Sequence, residues 1–387
     1  MKQIIQLMMK LIKSEIKEES RGTFSTPVSS AVLTSLYNIS NTYDLSHIVG
    51  KALKENSLFE QDIETKELFS RNIFKAMFRY ERTENEKNSV VALFEEERIP
   101  FVLLKGLVIR NYYPQPWMRT SSDIDVLVPE EDLQRAQDTI IKKLSYTYEK
   151  KGGHDVSLFS PSGVHLELHY ALFGGGSLPK TDKPLKNVWS DATLKQNTNF
   201  QYELSQELFY YYHIAHMAKH FINGGCGIKP FVDLYLIEDN LSLDEERKRK
   251  LLKEGGLLSF SLHCQQLCDV WFEEEPHTDF TQRLENYVLY GGMYGNLSNR
   301  VAVQQNKKGG KFGYALSRIW LPYNVLKFHY PTLEKHKELL PLYEVRRWFK
   351  LLFFKVVKRS LNELKANQNV SPETAKETAR LLEELGL

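Results

Sequence analysis

The sequence predicts an α+β protein in which one compact unit of strands and helices, residues 99–190 or so, lies between two helical regions. Three observations carry this. Up to about Glu97, apolar residues recur three and four apart, the spacing of a helix buried on one face. From Phe101 the pattern changes to short apolar runs and alternating stretches bounded by Pro and Gly, as strands require. From Leu204 helical spacing returns.

In chain order, Met1 to Glu18 carries Ile4, Ile5, Met8, Leu11 and Ile12, interrupted by Lys2, Lys10, Lys13 and Lys17. That is an amphipathic helix, not the unbroken apolar stretch of a signal peptide. Ser29–Tyr43 and Leu68–Leu93 are the clearest helices that follow, and Pro100 bars the second from continuing. Phe101–Leu104 reads as a buried strand. Leu107–Tyr113 reads as a short helix broken by Pro114 and Pro116. Asp123–Val128 is a strand ended by Pro129, and Glu130–Leu144 is a helix. A hairpin runs from His154 to Tyr170 about Pro161-Ser162-Gly163. Helices then cover Leu204–Phe221, closed by Asn223-Gly224-Gly225, and Phe231–Glu238, Glu245–Leu252, Leu257–Trp271 and Thr281–Leu289. Lys307–Lys311, with two glycines, is the candidate linker.

Composition narrows the function. A chain of 387 residues exceeds one simple core, so two or three domains are expected. Hydrophobic residues at 42% and charged residues at 26% suit a soluble globular protein. The net charge of +2 demands neither nucleic acid nor acidic lipid. Cys226, Cys264 and Cys268 form no disulfide framework, which points to a reducing, cytoplasmic setting with the cysteines in the core. No run of about 18 apolar residues is present to span a membrane.

The chemistry lies in Asp123-Ile124-Asp125. On a strand, alternate side chains share a face, so the two carboxylates sit about 7 Å apart on one side while Ile124 and Val126 enter the core. Two adjacent carboxylates repel unless a cation joins them, and Mg²⁺, or Mn²⁺, is the usual choice where phosphates complete the coordination. In Val164-His165-Leu166-Glu167-Leu168-His169, apolar residues alternate with His165, Glu167 and His169. If that strand adjoins the first, Glu167 becomes a third ligand. Three such carboxylates suit a two-metal arrangement. His169 shares the face of Glu167, where it can orient that carboxylate or contact an acceptor.

These residues resemble a known family. Leu103-Leu104-Lys105-Gly106, Tyr112-Tyr113-Pro114, Arg119, Asp123-Ile124-Asp125-Val126-Leu127-Val128 and Leu166-Glu167-Leu168-His169 are similar to the uncharacterised bacterial nucleotidyltransferases with a Lys-Gly turn. That family lies within the DNA polymerase β-like superfamily. The likeness continues through His213, His216 and His220 to Val232-Asp233-Leu234, and loosely to Tyr330-Pro331 and Arg346-Arg347-Trp348, spanning about residues 65–355. It implies a small mixed-sheet nucleotidyltransferase core over 99–195, flanked by helical regions at 1–98 and 196–387. It implies Asp123, Asp125 and Glu167 as metal-binding catalytic carboxylates. It also implies transfer of a nucleoside monophosphate from an NTP, ATP foremost, to a hydroxyl-bearing acceptor.

One departure stands out. The broad superfamily carries Gly-Ser or Gly-Gly in the turn, and this chain has Lys105-Gly106-Leu107. Lys105 then supplies a point charge to phosphate, Gly106 lets the backbone come close, and Arg119 clamps the nucleotide. His213, His216 and His220 fall on one helix face and, with His169 and Asp233, are candidates for lining the substrate cleft; Lys219 is ambiguous. A zinc site there lacks the His-Glu-x-x-His order. The basic, aromatic tail around Trp348, Phe349, Phe354, Lys355, Lys358 and Arg359 reads as an amphipathic helix, with single-stranded nucleic acid the less favoured partner. Two other readings stay open: a non-catalytic nucleotide- or partner-binding module, and a toxin-like enzyme that modifies RNA.

Overall fold

The computed structural model describes residues 2–18, 28–59, 62–173, 178–291, 297–321, 323, 326–327, 330–353, 363 and 365–387. Four helices come first: α1 (Lys2–Ile16), α2 (Ser30–Thr42), α3 (Ser46–Glu55) and α4 (Ile63–Glu96). Asp62 caps α4 by accepting the Thr65 amide at 2.9 Å. The helix stops short of Pro100 through a left-handed residue, Arg98 (φ 55), with Ile99 N–H on Phe94 O and Arg98 N–H on Glu95 O. These paired bonds absorb the last free carbonyls and turn the chain into the sheet.

The sheet follows. Its parts are β1 (Phe101–Leu103), α5 (Gly106–Ile109), β2 (Asp123–Leu127), α6 (Leu133–Leu144), β3 (Thr147–Lys151), β4 (Asp155–Phe159), β5 (His165–His169), α7 (Val188–Asp191), β6 (Thr193–Leu194) and β7 (Gln201–Glu203). The order is β3-β4-β5-β2-β1-β7-β6, with β5/β2 and β1/β7 parallel and the other pairs antiparallel. The expected mixed sheet between helical regions is therefore present.

One face of this sheet is dry. Ile124, Val126, Leu166, Leu168, Val156 and Leu158 pack with Val90, Leu93 and Phe94 of α4 and Leu133, Ala136 and Ile140 of α6. Each such side chain, once buried, contributes about 1.5–3 kcal/mol. Alternation then forces the polar residues of β2 and β5 onto the opposite face. Glu95 at the end of α4 accepts the amides of Asn199, Phe200 and Gln201, which fixes β7 beside β1.

Helices α8 (Gln206–Phe221), α9 (Lys229–Asn240), α10 (Glu245–Glu254), α11 (Leu258–Phe272), α12 (Asp279–Gly291), α13 (Leu297–Lys307) and α14 (Gly310–Ile319) come next, followed by Leu340–Phe353 and Pro372–Glu384. The chain forms two compact units. The first holds residues 1–219 and 227–282, and the second 220–226 and 283–385. Lys307–Lys311, expected as a linker, is a turn between α13 and α14 inside the second unit, made by Gly309 and Gly310 at φ 75 and 95. All three cysteines are buried. Phe354, Lys355, Lys358 and Arg359 of the basic tail lie outside the described residues. Among the described residues, no helix is long and apolar enough to cross a membrane.

A charged knot in the first unit ties the helices to the loop before β2. Asp44, between α2 and α3, accepts from Lys229 Nζ at 2.6 Å, Thr120 Oγ1 at 2.6 Å and Arg79 Nη1 at 3.2 Å. Burial works against the Asp44 charge, but Lys229 outweighs it and holds the carboxyl below its usual range. A depressed pKa contributes stability above the unfolded value near 3.9 and loses it as pH falls toward the folded value. Asp44→Asn leaves Lys229 buried without its anion, so urea unfolding at pH 7 should show a loss of about 3 kcal/mol, shrinking in acid. A loss under about 0.5 kcal/mol would make the knot a surface feature.

Candidate active site

β2 and β5 run side by side with Asp123 opposite His165, Asp125 opposite Glu167 and Leu127 opposite His169. The adjacency on which the role of Glu167 depended is met. Five polar side chains, Asp123, Asp125, His165, Glu167 and His169, thus share a small patch of one sheet face, with strands about 4.8 Å apart.

Lys105 closes this patch. The Leu104 amide donates to the Asp125 carbonyl at 3.1 Å, holding the turn after β1 against β2. Lys105 itself sits at φ 47, ψ −124, a conformation that costs a non-glycine residue about 1–3 kcal/mol. Its Nζ lies 2.5 Å from Asp125 Oδ1 and 3.6 Å from Glu167 Oε2. The sequence put this ammonium on phosphate; the structure puts it on the carboxylates. Nor does Gly106 carry the turn's positive φ, which falls on Lys105. A Cβ added to Gly106 would meet Ser121 and Arg119 at 3.4–3.6 Å, an ordinary contact.

His169 Nε2 lies 2.9 Å from Asp125 Oδ1 and 3.4 Å from Glu167 Oε2, and His165 Nδ1 lies 4.0 Å from Glu167 Oε1. Ser121 Oγ donates to Asp123 Oδ1 at 2.7 Å. The three carboxyls part in proton affinity. Burial and the Asp125 charge raise Asp123. Burial would raise Asp125 too, but Lys105 and His169 hold it far below the usual range. The hydrogen bond from His169 lowers Glu167. Burial opposes a charged His169, yet its bonds to Asp125 and Glu167 raise it.

Arg119 is held beside this patch. Its Nε donates to both oxygens of Asp233, at 2.7 and 2.9 Å, and its Nη1 to Thr120 O at 2.6 Å. Tyr113 OH donates to Asp233 Oδ1 at 2.8 Å. Asp233, expected to line the cleft, is fully buried and anchors Arg119 instead. His213 is spent on a backbone carbonyl, its Nε2–H donating to Pro230 O at 2.9 Å, and burial lowers its pKa. The His216 ring lies 6.5 Å from that of Tyr212, and His220 belongs to the second unit. These histidines form no metal trio among the described residues.

Sequence reasoning left out His165, although its place in the alternation with Glu167 and His169 was the available signal. Ser121, Tyr212 and His154 had no such signal. The His154 ring lies 5.7 Å from that of His169, and burial with the Lys219 charge pushes it down to about 4. Lys219 Nζ lies over the Phe173 ring at 5.5 Å. Burial, then the Lys105 charge, lowers its pKa.

Two trios of ligand atoms lie within 4.8 Å of one another: Asp123 with His165 and Glu167, and Asp125 with Glu167 and His169. Glu167 belongs to both. Carboxylates held together by strand register, one of them raised by burial and then by its neighbour's charge, are what a divalent cation relieves, so the residues fit a metal.

A family model described as uncharacterised nucleotidyltransferase matches residues 30–273, well over half of the chain. The chain belongs to this family. The match makes it a nucleotidyltransferase and includes the whole sheet and every residue of the site just described. It begins before residue 65, and it ends before the tail segment that looked similar in sequence. Among solved structures the nucleotidyltransferase is similar to the antibiotic-resistance factor ANT(2'')-Ia, at 13% identity and a TM-score of 0.24. That likeness covers 51% of this chain and 91% of the other. No curated protein matches.

Proposed function

We propose that this nucleotidyltransferase moves a nucleoside monophosphate from an NTP, ATP foremost, to a hydroxyl-bearing acceptor, with Mg²⁺ or Mn²⁺ held by Asp123, Asp125 and Glu167. The observation that carries this is the register of β2 on β5, which sets Asp125 against Glu167 with Asp123 on the same face. Unit 99–195 is the catalytic core in this reading, and the flanking helices supply base and acceptor recognition. The acceptor oxygen bonds to the α-phosphorus, the bond to the bridging oxygen breaks, pyrophosphate leaves and the hydroxyl proton is released. Asp123, Asp125 and Glu167 would hold the divalent cation, which would supply charge neutralisation at the transferring group and a lowered pKa for the attacking hydroxyl. Lys105 places an ammonium group beside the carboxylates, and Asp233 holds the guanidinium of Arg119 in a fixed orientation near Gly106. Such fixed charges act mainly by positioning. Incubation with each labelled NTP, a divalent cation and cell extract tests the reading by what becomes labelled. A labelled RNA would select the toxin-like variant, and no labelled product with any NTP would sink the transferase reading.

The ammonium of Lys105 between Asp125 and Glu167 favours a second reading, a binding module whose carboxylates are neutralised internally. Lys105→Ala separates the two. If Lys105 turns to the triphosphate, calorimetry should show NTP affinity falling about tenfold while NMP affinity holds, a change of about 1.4 kcal/mol. Equal changes for both ligands, or none, count against a triphosphate role.

A further inference from the structure

We infer that the metal centre is a mixed nitrogen–oxygen one, with His169 and His165 each giving an imidazole nitrogen beside the carboxylates, and that it selects Mn²⁺ over Mg²⁺. The inference rests on the metal-dependent reading above. Each trio around Glu167 holds two carboxylates and one histidine. Ligand atoms around a small divalent cation sit roughly 3–4.4 Å apart, so shifts under about 1 Å close either trio.

The placement of His169 decides between ligand and support. His169 Nε2 faces two carboxylates at once, at 2.9 and 3.4 Å. Its Nδ1 is buried with no hydrogen-bond partner among the described residues, so Nε2 is the nitrogen presented to the carboxylates. His165 repeats the arrangement at the other oxygen of Glu167, in the trio with Asp123. Both histidines are fixed by β5, two residues either side of Glu167.

Donor chemistry then sets the ion. Mg²⁺ demands oxygen ligands in near-octahedral geometry and keeps several waters. Imidazole suits transition metals, and Mn²⁺ accepts carboxylate and imidazole together. A site with one nitrogen in each trio therefore discriminates against Mg²⁺ without excluding it.

The test uses the full chain without nucleotide, titrated with Mn²⁺ and followed by electron paramagnetic resonance. Pulsed measurements on protein whose histidines alone carry ¹⁵N identify the nitrogen and separate it from the Lys105 amine. The expected result is bound Mn²⁺ with a nitrogen coupling that changes isotope pattern on histidine labelling. Competition should show Mn²⁺ held about tenfold or more tighter than Mg²⁺, and His169→Gln with His165→Gln should bring that ratio near unity. Bound Mn²⁺ without histidine coupling, or a ratio near unity in the unmodified chain, overturns the inference and leaves the transferase reading standing. No bound Mn²⁺ overturns both. The labelled unmodified chain decides the matter even if the double variant fails to fold.

Discussion

Asp123→Asn and Asp125→Asn are each expected to lower nucleotidyl transfer about a thousandfold, and to move stability in opposite directions. The rate loss is common because in the proposed reading both carboxylates would hold the cation, and about 4 kcal/mol of charge stabilisation would go with either. The stability difference comes from their partners. Asp125 carries Lys105 and His169, and its depressed pKa contributes stability that is present above the unfolded value and lost on acidification. Removing its charge strands a buried ammonium, so the thermal midpoint should fall, by an amount corresponding to about 2–3 kcal/mol. Asp123 has the opposite sign. Its pKa is raised, so its ionised form opposes folding at neutral pH, and the asparagine variant should melt at or above the parent temperature. Thermal melts at pH 7 beside single-turnover transfer read both quantities. Near-parental transfer in either folded variant removes the metal assignment, and equal falls in melting temperature remove the electrostatic account.

Glu167→Gln should separate binding from chemistry. The change keeps volume and removes the one charge common to both ligand trios. Affinity for a non-hydrolysable NTP should change less than about tenfold, because Asp123, Asp125 and the surrounding cations remain. Transfer should drop by about a thousandfold, since neither position keeps its shared ligand. A surface carboxylate would give neither effect, staying within about 0.5 kcal/mol of neutral. Retained transfer would shift the balance to the binding module.

Much of this site was legible because period-two alternation fixes faces without tertiary knowledge. Ile124, Val126, Leu166 and Leu168 enter the core as read, so Asp123, Asp125 and Glu167 had to share the other face. What was not legible depends on partners far along the chain. Arg119 finds Asp233 114 positions away, and Lys105 finds Asp125 20 positions away, so neither pairing leaves a local trace. β3 is exposed throughout and shows no alternation, while β6 and β7 are two and three residues long, too short to carry a period. The place of β7 is fixed by Glu95, whose carboxylate gathers the three consecutive amides of Asn199, Phe200 and Gln201.

The backbone of Lys105 has a mechanical consequence. A glycine at this position would adopt φ 47, ψ −124 without penalty, so the lysine follows a torsional path made for a residue lacking a side chain. Two kinds of tie hold the turn against the sheet: the ammonium on Asp125 and Glu167, and the backbone bonds of Leu104 to the Asp125 carbonyl and of Val108 and Ile109 to the Lys105 carbonyl. A ligand that drew the ammonium away would remove the first tie and leave the second, so the roughly 1–3 kcal/mol of torsional cost would then be borne by the backbone bonds alone.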